Sequence, residues 1–474
     1  MRLNVVKIYS ILLALLAPCC SLVIAAPRPN FLVLLADDLG YADVGFAGGQ
    51  DIKTPHLDKL AAAGARLDQF YVQPLCSPTR AALLTGRYPM RYGLQVGVIR
   101  PWEQRGLPLA ERTLPQALQE AGYVTAIVGK WHLGLHERAY LPTRRGFDHQ
   151  YGHYCGAIDY FSHERDGGFD WHRDDQVCRD EGYSTHLIAR EAARFIREHP
   201  KEKSFFLYVP FNAVHAPHQV PEKYKEPYAN LPGPRRTYAG MVAAMDEAVG
   251  DIMAALDQRG LRTNTLILFS SDNGGPNPGR VTTNGMFRAG KATVYEGGVR
   301  VCAFATWEGR IKAGSVISQP LHVVDWYPTL LRLAGAPLAQ ALALDGRDLW
   351  PVLTEGKTSP HDEILLNTTP KGGAIRVGDW KLVVNGRLGV GEEAEDEPGA
   401  TPRKRKDDPR PAPGVELFNL AQDPFEKRNL AAEQPDRLRE LRARYEAYAR
   451  AAAPPGNRPR PAEFQAPKIW GETQ

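Results

Sequence analysis

Residues 31–38 read FLVLLADD: an unbroken apolar run that ends in two carboxylates. A run this short and continuous suits a parallel strand buried on both faces, because such a strand has no solvent side on which polar residues would alternate. The same pattern recurs at 124–128, 205–209 and 266–269. Helical signals lie between these runs. Thr54-Pro55 places an N-cap residue before a proline at the first helical position and leads into Leu57, Leu60 and Ala61. Leu114, Ala117, Leu118 and Ala121 form an apolar stripe that stops at Gly122, and a longer one runs from Met241 through Met245, Val249, Ile252 and Leu256 to Gly260. Strands alternating with helices predict an α/β fold with a large central, mostly parallel sheet flanked by helices.

The pattern changes near residue 360. AIRVGDWKLVV, residues 374–384, places a Gly-Asp turn between β-rich stretches and predicts an antiparallel hairpin. Leu438, Leu441, Tyr445 and Tyr448 predict a closing amphipathic helix, and a proline-rich stretch after it reads as a tail or a strap across the surface. An acidic run (392–397) and a basic run (403–406) between them read as a solvated loop. These features predict a larger N-terminal domain over 27–360 and a smaller C-terminal α+β domain, built on an antiparallel sheet, over 361–474.

The composition excludes several classes. With 474 residues, 43% hydrophobic and 24% charged, the chain is neither disordered, collagen-like nor a coiled coil. Its 58 basic and 54 acidic residues leave a net charge of only +4, which gives no electrostatic footprint for nucleic acid. Residues 1–26 carry Arg2 and Lys7 ahead of an apolar stretch and a small-residue end, the pattern of a signal peptide. The apolar stretch is interrupted by Pro18 and falls short of a membrane span, so the expected location is secreted or periplasmic. Four of the six cysteines lie beyond that leader, and Cys155 could pair with Cys178. The absence of any C-x-x-C pair argues against a thiolate zinc site.

Each apolar run is followed by polar residues. The first leads to Asp37 and Asp38, the second to Lys130 and His132, the third to His215, and the fourth to Asp272 and Asn273. Ligands bind beyond the carboxyl ends of the strands in open α/β sheets, so these groups are expected to share one edge. Taken singly, each has a bland explanation as a cap, a turn or a structural histidine. Together, the hard oxygens of Asp37, Asp38, Asp272 and Asn273 suit Ca²⁺ or Mg²⁺. Lysine and arginine beside such a metal suit a tetrahedral oxyanion, sulfate or phosphate.

Residues 76–80 read CSPTR, and LTGR follows at 84–87. A C-x-P-x-R string followed by T-G-R resembles the signature of the type I sulfatases of the alkaline phosphatase superfamily. The likeness extends through ADDLGYADVG from Ala36, GKWHLG from Gly129, SDNGG from Ser271, EGGVR from Glu296 and ELFNLAQDPFEKRNLA from Glu416. Within that family, QPLCSPTR, GLPLAERTLPQALQEAGYVTAIVGKWHLG and YLPTRRGFD are similar to the arylsulfatase B (N-acetylgalactosamine-4-sulfatase) branch. The segment 96–105 departs from that branch: it lacks the cysteines found there, and it is expected to border the pocket.

The resemblance implies an alkaline phosphatase-like fold and hydrolysis of sulfate esters on a 4-O-sulfated galactose or N-acetylgalactosamine unit of an oligo- or polysaccharide. It implies that Cys76 is converted to formylglycine by a formylglycine-generating enzyme. It implies that Asp37, Asp38, Asp272 and Asn273 hold Ca²⁺, with the modified Cys76 completing the shell. Arg80 would support the formylglycine, Lys130 and Lys291 would grip sulfate, His132 would assist the nucleophile's hydroxyls, and His215 would sit at the leaving oxygen. Two other readings fit the same residues: a phosphodiesterase or phosphonate monoester hydrolase of the same superfamily, and a non-catalytic glycan-binding protein with unconverted Cys76.

Overall fold

The computed structural model describes residues 28–387 and 414–472. The leader and the two opposed charge runs lie outside the described residues. Five strands run parallel: β1 (Asn30–Ala36), β2 (Val124–Lys130), β3 (His149–His153), β4 (Phe205–Pro210) and β5 (Thr265–Ser271). Their spatial order is β5-β1-β4-β2-β3. All but β3 contain one of the apolar runs. An antiparallel strand, β6 (Ala303–Thr306), extends the sheet beyond β5, and short strands at both margins bring it to ten.

The alternation of side chains across β1 shows why the run had to be continuous. Phe31, Val33 and Leu35 enter one core, while Leu32, Leu34 and Ala36 enter a second on the opposite face. Helices cover both. α1 (Pro55–Ala62), α4 (Ser184–Glu198) and α5 (Gly233–Arg259) pack on the second face through Leu57, Leu60, Ile188, Ile196, Met245 and Val249. α2 (Cys76–Thr85) and α3 (Leu114–Glu120) pack on the first through Leu83, Leu84, Leu114 and Leu118. Each buried leucine or isoleucine contributes about 1.5–3 kcal/mol by leaving water. The expected signals operate locally. Thr113 and Gln116 form a reciprocal capping box at the start of α3, and Gly260 ends α5 in a left-handed conformation, φ 64°.

A separate antiparallel sheet follows: β7 (Glu363–Thr369), β8 (Gly372–Val377), β9 (Trp380–Val384) and β10 (Val415–Asn419). The expected hairpin is β8–β9, and the closing helix, α6 (Pro435–Ala451), packs on β7, β8 and β9. Leu365, Ile375, Leu382 and Leu417 of this sheet join the first core of the main body. Cys155 and Cys178 are both free thiols, so the pairing allowed by the sequence is not made. Among the described residues, no helix is long and apolar enough to cross a membrane.

Candidate active site

The main-chain pairing of the strands continues past their ends and fixes the polar residues beyond them. The Asp37 amide donates to the Ala213 carbonyl at 3.0 Å, the Val214 amide to the Asp37 carbonyl at 2.9 Å, and the Asp272 amide to the Ala36 carbonyl at 3.0 Å. Asp38 and His132 adopt left-handed backbone, φ 63° and 58°, and so does Ala292 at φ 68°. A non-glycine residue in that region carries strain that persists only where its surroundings hold it, and such residues cluster at functional sites.

Cys76 opens α2 and is 1% exposed. Its Sγ lies 3.3 Å from Asp37 Oδ1 and 3.4 Å from Asn273 Oδ1. Ligand atoms of Asp37, Asp38, Cys76 and His215 all lie within 4.8 Å of one another. The Asn273 amide donates to Asp38 Oδ1 at 2.7 Å, and Asp272 Oδ1 accepts the Asp38 amide at 3.2 Å. The structure therefore brings every residue read from the strand ends to one place.

Three cations balance the three carboxylates. Arg80, fully buried, reaches Asp272 Oδ2 at 2.8 Å and the Lys130 carbonyl at 3.3 Å. Lys130 Nζ lies 2.5 Å from Asp37 Oδ2, and Lys291 Nζ 2.9 Å from Asp38 Oδ2. Burial would raise the Asp38 pKa, but Lys291 and His215 outweigh it and hold the carboxyl well below the usual range. Asp272 goes the other way: burial and the neighbouring Asp37 push it up, and Arg80 does not fully offset them. Burial pushes the Cys76 thiol well up, with Asp272 and Asp37 adding to the effect.

Both histidines are held neutral. Burial, then Lys291 and Lys130, bring His215 down to about 4. Burial, then Lys130 and Arg80, hold His132 well below its ordinary value. His215 Nδ1 lies 2.6 Å from the Ala216 carbonyl, which can only accept, so Nε2 presents a lone pair toward Lys291 Nζ at 3.3 Å. By the same logic His132 Nε2 donates to the Ile99 carbonyl at 3.1 Å. Its Nδ1 is then a buried acceptor with no partner among the described residues. Gly156 lies against this ring: a Cβ there would sit 2.5 Å from Nε2.

Several residues of the site carry no sequence signal. Ser77 Oγ donates to the His132 carbonyl at 2.9 Å and accepts the Ile99 amide at 3.1 Å, so α2 holds the His132 loop. Val98 packs with Leu75, Cys76 and Ala292, which places the segment 96–105 against the site as expected. A groove of about 970 Å³ elsewhere on the surface is lined by Lys59, Met253, Arg262 and Lys312, none of them near these residues. Two hydroxyls on its wall, those of Thr265 and Thr306, bond to the Leu261 and Leu60 carbonyls.

The sulfatase family model matches residues 29–336. The chain belongs to the sulfatase family. It is 36% identical to arylsulfatase J of Mus musculus, over 94% of this chain and 80% of that protein. It is 37% identical to N-acetylgalactosamine-6-sulfatase of Rattus norvegicus, over 74% of this chain and 71% of that one. The crystal structure of Ps i-CgsB in complex with k-i-k-neocarrahexaose is similar at TM-score 0.80 and 31% identity, covering 90% of this chain and 94% of that one. The protein is thus a sulfuric ester hydrolase with the alkaline phosphatase-like fold expected of it. Sulfatases in general carry a formylglycine and a metal ion. The donors present in this sulfatase fit both: a lone cysteine faces a buried carboxylate and an amide oxygen, and a divalent cation would offset the burial and the Asp37 charge that together raise Asp272.

Proposed function

We propose that this sulfatase is a secreted or periplasmic enzyme that removes 4-O-sulfate from a galactose or N-acetylgalactosamine unit of a sulfated oligo- or polysaccharide. The observation that carries the reading is the convergence of Cys76, Asp37, Asp38, Asp272, Asn273, Lys130, Lys291, His132 and His215 on one buried point. Two of the similar proteins support a sulfated-sugar substrate, one by its name, N-acetylgalactosamine-6-sulfatase, and one by its complex with k-i-k-neocarrahexaose. The strings shared with the arylsulfatase B branch support the 4-position.

Asp37, Asp38, Asp272 and Asn273 would hold Ca²⁺, with the residue at position 76 converted by a formylglycine-generating enzyme. Together these groups supply a Lewis acid for the sulfate oxygens and a hydrated aldehyde as nucleophile. His215 also lies among the closest ligand atoms. Its Nε2, however, faces the Lys291 ammonium, and an oxygen-only shell suits calcium better than a mixed one.

The chain's own groups do the rest. Lys130 and Lys291 each hold one carboxylate oxygen and carry the charge that a sulfate in the site would draw on, while Arg80 fixes Asp272 from behind. His132 Nδ1 has a free lone pair in a buried setting and takes the proton of an attacking hydroxyl. The Lys291 ammonium, donating toward His215 Nε2, places a proton beside the site of the departing sugar oxygen.

The test combines three measurements on the purified protein. Mass spectrometry of the Cys76 peptide is expected to show an aldehyde or its hydrate, and metal analysis one calcium per chain. Defined oligosaccharides are expected to lose 4-O-sulfate at least about tenfold faster than 6-O-sulfate, a discrimination within reach of one pocket contact. Unmodified Cys76 in fully active protein, or a preference for 6-O-sulfate, would overturn the corresponding part of the reading.

A further inference from the structure

The proline-rich stretch after α6 lies across the segment that borders Cys76. The Ala453 amide donates to the Met90 carbonyl at 2.8 Å, and the Gly456 amide to the Gly93 carbonyl at 3.0 Å. Glu103, 3% exposed, is the clasp: its carboxylate accepts the Arg458 amide at 2.5 Å, the Arg100 amide at 2.9 Å and Arg105 Nε at 3.1 Å. Trp102 Nε1 donates to the Arg458 carbonyl at 3.1 Å. Farther on, Phe169 and Trp470 fasten the end of the stretch, with their amides donating to the Lys468 and Phe169 carbonyls at 2.9 Å each.

This arrangement leads away from the reaction centre. Val98 packs on Cys76, Ile99 holds His132, and Arg100 is near enough to His132 to help depress its pKa. The Arg100 guanidinium lies 5.8 Å from the centre of the Trp102 ring. On the same ring, at 5.6 Å, lies Arg460, which is also 5.4 Å from Phe464. Trp102 and Phe464 meet edge to face at 6.0 Å, and both are half-buried. Arg458 and Arg460 are exposed. The Arg105 guanidinium thus pairs with buried Glu103, those of Arg100 and Arg460 lie on the Trp102 ring, and Arg458 gives Glu103 its backbone amide while its side chain is exposed. Arg105 responds to the crowding: burial, then Glu103, then the charge of Arg458 act on it, and the net effect lowers its pKa.

We propose that Trp102, Phe464, Arg458 and Arg460 form a second subsite that binds a further anionic group of the sugar polymer, a sulfate or a carboxylate, on a residue next to the one being desulfated. An exposed guanidinium takes a planar or tetrahedral anion in two hydrogen bonds, and the Trp102 and Phe464 rings beneath Arg460 hold its guanidinium in place. The proposal rests on the sulfated-glycan reading above.

The experiment compares Arg460→Ala, Arg460→Lys and the double Arg458→Ala/Arg460→Ala variant with the parent. The substrates are 4-nitrophenyl sulfate, a chondroitin 4-sulfate hexasaccharide and a carrageenan hexasaccharide, which carries sulfate without carboxylate. Arg460→Ala is expected to raise the hexasaccharide KM about tenfold with kcat within twofold, the scale of one lost charge-assisted contact. Turnover of 4-nitrophenyl sulfate should be unchanged, and Arg460→Lys should restore part of the loss. A loss confined to chondroitin assigns the subsite to carboxylate, and a loss on both assigns it to sulfate. An unchanged hexasaccharide KM in the double variant, or an equal loss on 4-nitrophenyl sulfate, overturns the subsite. If the parent cleaves 4-nitrophenyl sulfate and neither hexasaccharide, the substrate reading has failed separately. Calorimetric binding of the hexasaccharides to Cys76→Ala protein then decides the subsite alone: about tenfold weaker binding on adding Arg460→Ala supports it, and no binding or no change refutes it.

Discussion

His215 and Lys291 share one hydrogen bond, and their roles separate by leaving group. A sugar alkoxide leaves badly without a proton, whereas 4-nitrophenolate needs none, and general acid catalysis is worth about 10²–10⁴-fold where it is needed. His215→Ala is therefore expected to cut kcat/KM for a sulfated sugar at least tenfold more than for 4-nitrophenyl sulfate. Lys291→Ala should depress both, because its charge also faces Asp38 and, in the proposed reading, would meet the sulfate. Equal losses for His215→Ala on the two substrates would show that the imidazole does not aim the Lys291 proton. With His215 held neutral, the ammonium is the better proton source of the pair, and the imidazole serves to aim it. Cys76→Ala should abolish turnover of both substrates while leaving the thermal midpoint nearly unchanged, since a small buried side chain is removed from a site already lined by polar groups. A large drop in that midpoint would mark Cys76 as structural.

At the scale of elements, legibility followed side-chain chemistry more than burial, since β3 is buried from Gln150 to His153 and still lacks an apolar run. β1, β2, β4 and β5 are buried on both faces and read as apolar runs, and the residues just past them proved to converge. β3 reads HQYGH and carries no such run. Its polar side chains bond locally: the Gln150 amide donates to the Gly152 and His172 carbonyls, and His153 Nδ1 bonds to the Cys155 carbonyl, while His153 Nε2 is buried without a partner among the described residues. Ser77 and Arg100 were equally silent, because their roles arise from contacts between distant segments. β3 also carries a pH response. His149 bridges Asp174 at 2.9 Å and Glu191 of α4 at 2.8 Å. Burial alone would lower its pKa, but these two carboxylates outweigh burial and push it up to about 9. A histidine raised in the folded state adds stability that is complete below its ordinary value of 6.5 and is lost as pH rises through the folded value. The urea midpoint is expected to hold below pH 6.5, decline toward pH 9, and lose that slope in His149→Gln. An identical slope in the variant would remove His149 from the account.

Across the whole molecule, the antiparallel sheet is fastened to the loop that bears Lys291. Fully buried Lys381 of β9 lies 2.8 Å from both Glu296 and Glu426, and the Glu296 amide donates to Glu426 at 2.7 Å. Burial, only partly offset by Lys381, pushes the Glu426 carboxyl up. Arg288 reaches Glu416 of β10 at 2.9 Å, and the Val294 amide donates to the Gly386 carbonyl at 2.9 Å. Lys381→Met would leave two carboxylates buried without their ammonium, a loss of about 3–5 kcal/mol. It should also lower kcat on both substrate types by misplacing Lys291, and an unaltered kcat in stably folded variant would refute the link. The same fastening has a meaning in time. A chain emerges from the ribosome N-terminus first, and Asp37, Cys76, Lys130, His215, Asp272 and Lys291 all precede Lys381 and Glu426. A nascent chain halted at residue 360 would already contain every residue proposed for the reaction, with the Lys291 loop still lacking its anchor.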